Sequence, residues 1–418
     1  MPRLAAAALA SLVAGRAAAR AEDPAAFPPA VTPGPADLPT PMPTAEAGPT
    51  VDLPEFVLQS VGLYKEPTPE EKAAEAARRF HWNVVPFILT NPLITFGVGV
   101  ASAGVFRIGD SDTKLSKFAT NLLLTVKKQV SIPVRTTIFF SGSDWSLVGY
   151  ANWRWFPSPT WGLGGNTPES AETIVDYGLV RLWQTFYRRL YQNLYVGAGL
   201  YYDGFYEVGN RGVPPGNVNP FTSYPYGTAG PYTNLGASLD LLFESRDNPV
   251  NATSGYNATL TYRAFPTWLG STYSWQSLYA DGRAYFALPR PNVLALWAYG
   301  WFSFGNVPYL NLPSIGSDPD ARSGRGYIEG RHIGKALVYA EAEYRFHVWN
   351  FLGGAVGLNV HSAAQGGQNE PNFRYWYPAA TIGLRALVNR PTNANGLIEF
   401  GIGLDGSHGF YLNINENF

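Results

Sequence analysis

The side chains able to do covalent or metal chemistry are few in this sequence, and their spacing does not suit it. There is no cysteine, which excludes thiolate nucleophiles, thiolate metal sites and disulfides. Five histidines stand at His81, His332, His347, His361 and His408. None belongs to an H-E-x-x-H pair that would turn two imidazoles toward one zinc ion. No G-x-S-x-G elbow presents a serine to a base. Ser407 and His408 are neighbours, but neighbours in a strand point to opposite faces. Asn251-Ala252-Thr253 and Asn257-Ala258-Thr259 match a glycosylation pattern short enough to arise by chance. The expectation is therefore a protein without catalytic residues, metal or cofactor. What remains is the chemistry of arginines and carboxylates, which pair and hydrogen-bond.

Those charges sit on one face of period-two segments. In 336–346, Ala336, Val338, Ala340, Ala342, Tyr344 and Phe346 alternate with Leu337, Tyr339, Glu341, Glu343 and Arg345. In 376–388, Ala380, Ile382, Leu384 and Ala386 alternate with Thr381, Gly383 and Arg385. In 235–243, Leu239, Leu241 and Phe243 alternate with Ser238, Asp240 and Leu242. Alternation of this kind marks strands with one apolar and one polar face. Fifteen such segments read as strands: 95–108, 116–129, 130–141, 145–156, 172–189, 193–208, 232–246, 255–266, 272–288, 292–305, 335–347, 351–363, 375–389, 396–405 and 409–418. Single-chain bacterial barrels have even strand numbers, and 84–90 supplies the sixteenth, with Pro86 tolerable at a strand start or edge. Many of these segments are long for globular strands and suit a tilted membrane crossing. Tyrosine and tryptophan gather near their ends, as at Trp153, Trp155 and Tyr375 to Tyr377. Charged residues are only 15% and aromatics also 15%, against a usual charged share of about 25%. A net charge of −1 leaves no basic surface for nucleic acid.

The expected fold is all-β, a sixteen-stranded antiparallel transmembrane β-barrel over 84–418. Its lumen carries both signs of charge: Asp203, Asp240, Glu244, Arg246, Asp281, Arg283, Glu341, Glu343, Arg345, Arg385 and Glu399. Long connections are expected at 209–231 and 306–330, and a tight turn at 390–395.

The N-terminal part is different. Residues 1–21 read as a signal peptide, with Arg3 before an apolar run and Ala19-Arg20-Ala21 at the cut. Residues 22–67 are rich in proline and alanine and read as a disordered periplasmic linker. Thr68, Pro69 and Glu71 form a capping box that predicts one short helix over 68–80.

Three stretches carry a family resemblance. Arg325-Gly326-Tyr327 lies in the long connection, Glu343-Tyr344-Arg345-Phe346 on the next strand, and Arg246-Asp247-Asn248-Pro249 before Gly255 near mid-barrel. Together they resemble the BamA/TamA superfamily of outer-membrane barrels, the bacterial surface antigens. Pro86-Phe87-Ile88, Asn91-Pro92 and Gly97 resemble the opening of its single-barrel members. The resemblance implies that the connection folds into the lumen and that Arg325 meets Glu343, with Gly326 and Tyr327 beside it. Asn359 stands where the family often has an aspartate, and Glu244 where it has another. Phe410, Leu412, Ile414 and Phe418 share a parity and resemble the C-terminal signal read by the barrel assembly machinery. Residues 22–83 are too few and too proline-rich for a POTRA module, so the chain resembles the branch without these docking domains.

The implied function is membrane insertion or translocation of protein or lipid at the outer membrane, through a weakly paired first-to-last strand seam. The implied partners are outer-membrane lipid, the assembly machinery and a periplasmic protein docking on the linker. A passive channel for small solutes is the alternative that the polar lumen supports.

Overall fold

The alternation becomes a continuous wall. The computed structural model describes residues 52–60, 68, 80–109, 113–114, 116–211, 219–248, 250–289, 291–365, 373–389, 393–414 and 418. The strands are β1 (Phe80–Leu89), β2 (Gly97–Phe106), β3 (Ser116–Thr125), β4 (Val130–Phe139), β5 (Trp145–Trp155), β6 (Ser158–Thr160), β7 (Thr173–Tyr191), β8 (Leu194–Arg211) and β9 (Tyr232–Glu244). They continue with β10 (Gly255–Phe265), β11 (Trp275–Leu288), β12 (Asn292–Gly305), β13 (Ala336–Trp349), β14 (Leu352–Ala364), β15 (Tyr377–Asn389), β16 (Ala394–Gly403) and β17 (His408–Ile414). The three-residue β6 only borders the start of β7. The other sixteen form a nearly closed antiparallel barrel, β5 pairing directly with β7. β1 and β17 lie side by side, and among the described residues no pairing register joins them. Pro86, which has no N–H to donate, sits in β1 opposite Val100, at this seam where a missing donor costs least.

Which face is exposed separates a membrane barrel from a soluble sheet. Along β13 the buried residues are Leu337, Tyr339, Glu341, Glu343 and Arg345, while Ala340, Ala342 and Tyr344 are exposed. A soluble sheet would do the reverse, because charge prefers water. Leu239, Leu358, Ile382 and Leu384 all point outward, each more than 60% exposed. Trp268, Trp349 and Trp376 add an exposed aromatic fringe. Apolar outside and polar inside is the pattern of a wall bathed in lipid.

Long connections gather at one end of the barrel: 156–172, 212–231, 306–335 and 365–376. The 306–335 connection does not stay outside. Leu312, Ile315, Arg325, Tyr327 and Ile333 are buried, and Ile333 bridges to Leu163 and Ser314. The loop crosses the lumen, where Arg135 of β4 donates to the Pro319 carbonyl at 3.1 Å and Arg283 of β11 pairs with Asp320 at 2.9 Å.

The capping box at Thr68 predicts a helix over 68–80. Apart from Thr68 and Phe80, residues 68–80 fall outside the described residues, as do 1–21 and most of 22–67. The described helix, α1 (Leu53–Ser60), lies inside the stretch read as linker. A second capping box makes it: the Glu55 N–H donates to Asp52 Oδ1 at 3.0 Å and Asp52 N–H returns to Glu55 Oε2 at 3.4 Å. Phe56 then packs on Phe351 and Trp349, with ring centroids 5.0 and 6.2 Å away, at the end opposite the long loops.

Candidate functional site: a loop clamped in the lumen

Arg325 is the centre of the site. Its loop is brought to the wall by a close backbone approach. Gly326 has φ +108°, and a Cβ there would stand 2.8 Å from Ala379 Cβ. On the wall, a Cβ on Gly401 would stand 2.7 Å from the Gly326 nitrogen, and one on Gly403 would strike the Tyr327 ring. Three positions must therefore lack a side chain for the loop to seat. The Gly326 N–H donates to Tyr411 Oη of β17 at 2.9 Å. The Tyr327 hydroxyl donates to the Pro378 carbonyl at 2.7 Å and accepts from Leu404 N–H at 2.9 Å.

Seated this way, the Arg325 guanidinium meets three glutamates. Nη2 donates to Glu343 Oε2 at 2.8 Å and also to Glu341, while Nη1 donates to Glu399 of β16. All four side chains are at most 2% exposed. Glu343 in turn accepts from Arg345 Nε at 2.7 Å, and Glu341 accepts from the Tyr339 hydroxyl. A planar cation with five donors suits such convergence, because it reaches several carboxylates in fixed directions. Buried pairs of this sort contribute less to stability than to position, since desolvation offsets much of the attraction. The arrangement fixes where the loop lies.

The structure places Arg325 and Glu343 together, as the motif implied, and adds Glu341 and Glu399. Both were expected as charges of the mixed-sign lumen, with no particular partner named. Glu399 is 74 residues from Arg325, so no local pattern marks it as a ligand of the loop. Asn359 does not take an acid's place beside the guanidinium. Its Nδ2 donates to the Arg325 carbonyl at 3.0 Å, so it holds the backbone of the loop. His361 pairs with His332 of the loop, Nε2 to Nδ1 2.7 Å. Tyr377 stacks on His332 at 3.7 Å between centroids. Burial lowers the His332 pKa to about 2, with His361 and Arg331 adding to the shift.

The residues read as a C-terminal signal do not all share one orientation. Phe410 faces outward, 44% exposed, as its parity requires. Phe418 does not follow it. The ring lies in the lumen, 5% exposed, with its centroid 5.3 Å from that of Trp297. Its main-chain oxygen accepts from Arg345 Nη2 at 2.8 Å. Parity governs only residues held in the ladder, which ends at Ile414. Beyond it, the aromatic ring and the Arg345 donor set where Phe418 goes.

Several other lumen charges pair within the wall. Arg181 forks onto Asp203, Arg283 meets Asp281 and Arg246 meets Glu244. Among the described residues no group of three metal-ligating side chains occurs, and no helix is long and apolar enough to cross a membrane.

No protein-family model matches the sequence, and no curated protein matches it. Solved structures do. BamA from Haemophilus ducreyi lacking POTRA domains 1–3 aligns over 81% of this chain and 69% of its own, at 13% identity and a TM-score of 0.52. The chain has the fold of these barrels. CdiB from Acinetobacter baumannii aligns over 81% of this chain and 60% of its own at 11% identity, and CdiB from Escherichia coli over 81% and 62% at 9%, each with a TM-score of 0.53. The chain thus spans less than two thirds of either CdiB. At such identities the likeness is one of fold, a BamA- and CdiB-like barrel wall reached by a very different sequence.

Proposed function

We propose that this chain is an outer-membrane barrel that inserts or translocates protein or lipid, with the 306–335 loop holding its lumen closed at rest. One observation carries the reading: Arg325 and its neighbours tie the loop to β13, β15, β16 and β17 at once. These last strands run up to the seam. A loop that grips them can govern both the pore and the edge that would receive a client strand. Outer-membrane lipid is the surrounding solvent, and the barrel assembly machinery acts during biogenesis. The segment at 22–67 is the docking place for a periplasmic partner. Deleting it should remove that partner from a pull-down, and a pull-down left unchanged would dismiss it.

The second reading is a passive channel for small solutes. It is favoured by the polar lumen wall around Arg154, Arg181 and Arg263, which the loop does not fill. Single-channel recording of refolded protein in planar bilayers separates the two. A clamped loop gives small, flickering conductance that enlarges in Arg325→Ala. Large, steady conductance indifferent to that change would put the channel first.

A further inference from the structure

Away from the Arg325 cluster, the lumen holds a cavity of about 110 Å3 between β5, β7, β8, β10 and the inserted loop. Three arginines reach it: Arg154, Arg181 and Arg263. Their situations differ. Arg181 is fully engaged, its fork closed on Asp203 at 2.7 and 2.8 Å. Asp203 is equally spent, accepting also from Trp183 Nε1 at 2.9 Å and Asn311 Nδ2 at 3.1 Å. Arg263 is 8% exposed and makes no ion pair or hydrogen bond with a described residue. It lies over ring faces, 4.9 Å from the Trp183 centroid and 4.8 Å from that of Tyr201. Arg154 is likewise held by rings, at 5.2 Å from Tyr177 and 5.4 Å from Phe156. The Nε of both arginines is buried without a described partner. Glu329 of the loop faces Arg154, its pKa raised by burial to about 7 against that arginine's pull.

An arginine stays charged at any physiological pH, and a buried charge without a counter-ion is costly. Ring faces orient a guanidinium and leave its edge N–H donors unused. A cavity of this size is somewhat smaller than the roughly 150 Å3 that holds a benzene. That is room for a tetrahedral oxyanion or the head of a phosphomonoester, and arginine forks match its oxygens. We propose that Arg154 and Arg263, with Trp183 as a wall, form a lumenal binding site for a phosphate-sized oxyanion, either free or at the head of a phosphorylated lipid. The site does not rest on the Arg325 clamp and stands or falls apart from it.

The test is calorimetric titration of the refolded full chain in detergent with inorganic phosphate. Saturable one-to-one binding is expected. Arg154→Gln with Arg263→Gln should weaken it at least tenfold, and Arg189→Gln at the far end of β7, where it pairs with Asp144, should leave it unchanged. Arg263→Lys, which keeps the charge and loses the fork, should weaken it a few-fold and serves if the double variant does not fold. Folding of each variant is read from heat-modifiable migration. Absence of saturable phosphate binding in the wild type, or equal binding in Arg263→Lys and the double variant, would overturn the site. Native mass spectrometry of protein gently extracted from membranes tells the sources apart. A phosphorylated-lipid adduct displaced by millimolar phosphate assigns a headgroup. Protein that arrives bare and then binds phosphate assigns a free anion.

Discussion

Replacing Arg325 with methionine removes a cation and keeps much of its bulk. Glu341, Glu343 and Glu399 then remain buried, with Arg345 still bonded to Glu343. Breaking one partner out of a buried ion pair costs about 3–5 kcal/mol, and here one cation serves three carboxylates. The loss is thus expected at the upper end, about 5 kcal/mol. Much of it is repulsion among the acids left behind. Two carboxylates about 5 Å apart at an effective dielectric near 20 repel by about 3 kcal/mol. Glu341→Gln added to Arg325→Met should therefore recover about 2–3 kcal/mol, although the same change in the wild type removes a partner of Arg325 and destabilises. This reversal of sign is the signature of the cluster. The assay is reversible urea unfolding of the four proteins in lipid vesicles, followed by heat-modifiable migration and tryptophan fluorescence. A loss below about 1 kcal/mol for Arg325→Met, or a glutamine that destabilises equally in both backgrounds, would refute the idea that Arg325 compensates buried charge.

Three other perturbations bear on separate parts of the structure. Leu358, 68% exposed on β14, should cost roughly 2–4 kcal/mol when changed to arginine if that face meets lipid. An ordinary water-facing site would shift by about 0.5 kcal/mol or less, so folding free energies in vesicles decide the matter. Gly326→Ala places a side chain at φ +108° and 2.8 Å from Ala379 Cβ, a strain of about 1–3 kcal/mol that should show as faster protease nicking of the loop; an unchanged rate would count against the close approach. Acid should also free the loop. His332 has a pKa near 2 when docked and 6.5 when released, so the released loop takes up a proton as pH falls through 6.5 while the docked loop does not. Stability of docking is full above 6.5 and declines below it, by about 2–3 kcal/mol at a pH near 4.5. Arg331, His361, Tyr327 and Tyr377 surround this imidazole, and His332→Phe should flatten the acid dependence of channel opening.

The barrel was legible because each strand repeats one simple constraint, an apolar neighbour for lipid and a polar one for the lumen. Ala340, Glu341, Ala342 and Glu343 state it within four residues. Strand ends were less legible, and β1 begins at Phe80, ahead of the first clear alternation at Val84. Arg325 was legible through its motif, and Glu343 through its parity. What could not be seen were contacts set by closure of the wall. Glu399, Tyr411 and the bare surface at Gly401 and Gly403 face the loop only because the last strands curve round to it. Phe418 departs from the strand parity for a related reason: parity is a property of a paired strand, and the ring answers to Trp297 and Arg345 across the lumen. The helix α1 was not foreseen in the stretch read as linker, where Asp52 with Glu55 starts it and Phe56 finds a ring surface on the barrel.

Glu343 holds Arg325 with one oxygen and Arg345 with the other, and Arg345 holds Phe418. The loop and the tail of the chain thus draw on the same carboxylate. Whatever free energy the seated loop lends to the seated tail, the tail must lend back to the loop in equal measure. A ligand, a mutation or a membrane stress that withdraws Phe418 from the lumen shifts the loop equilibrium by that same amount, with no contact of its own to the loop. Measuring the double-mutant coupling between Arg325 and Phe418 would give that exchange a value.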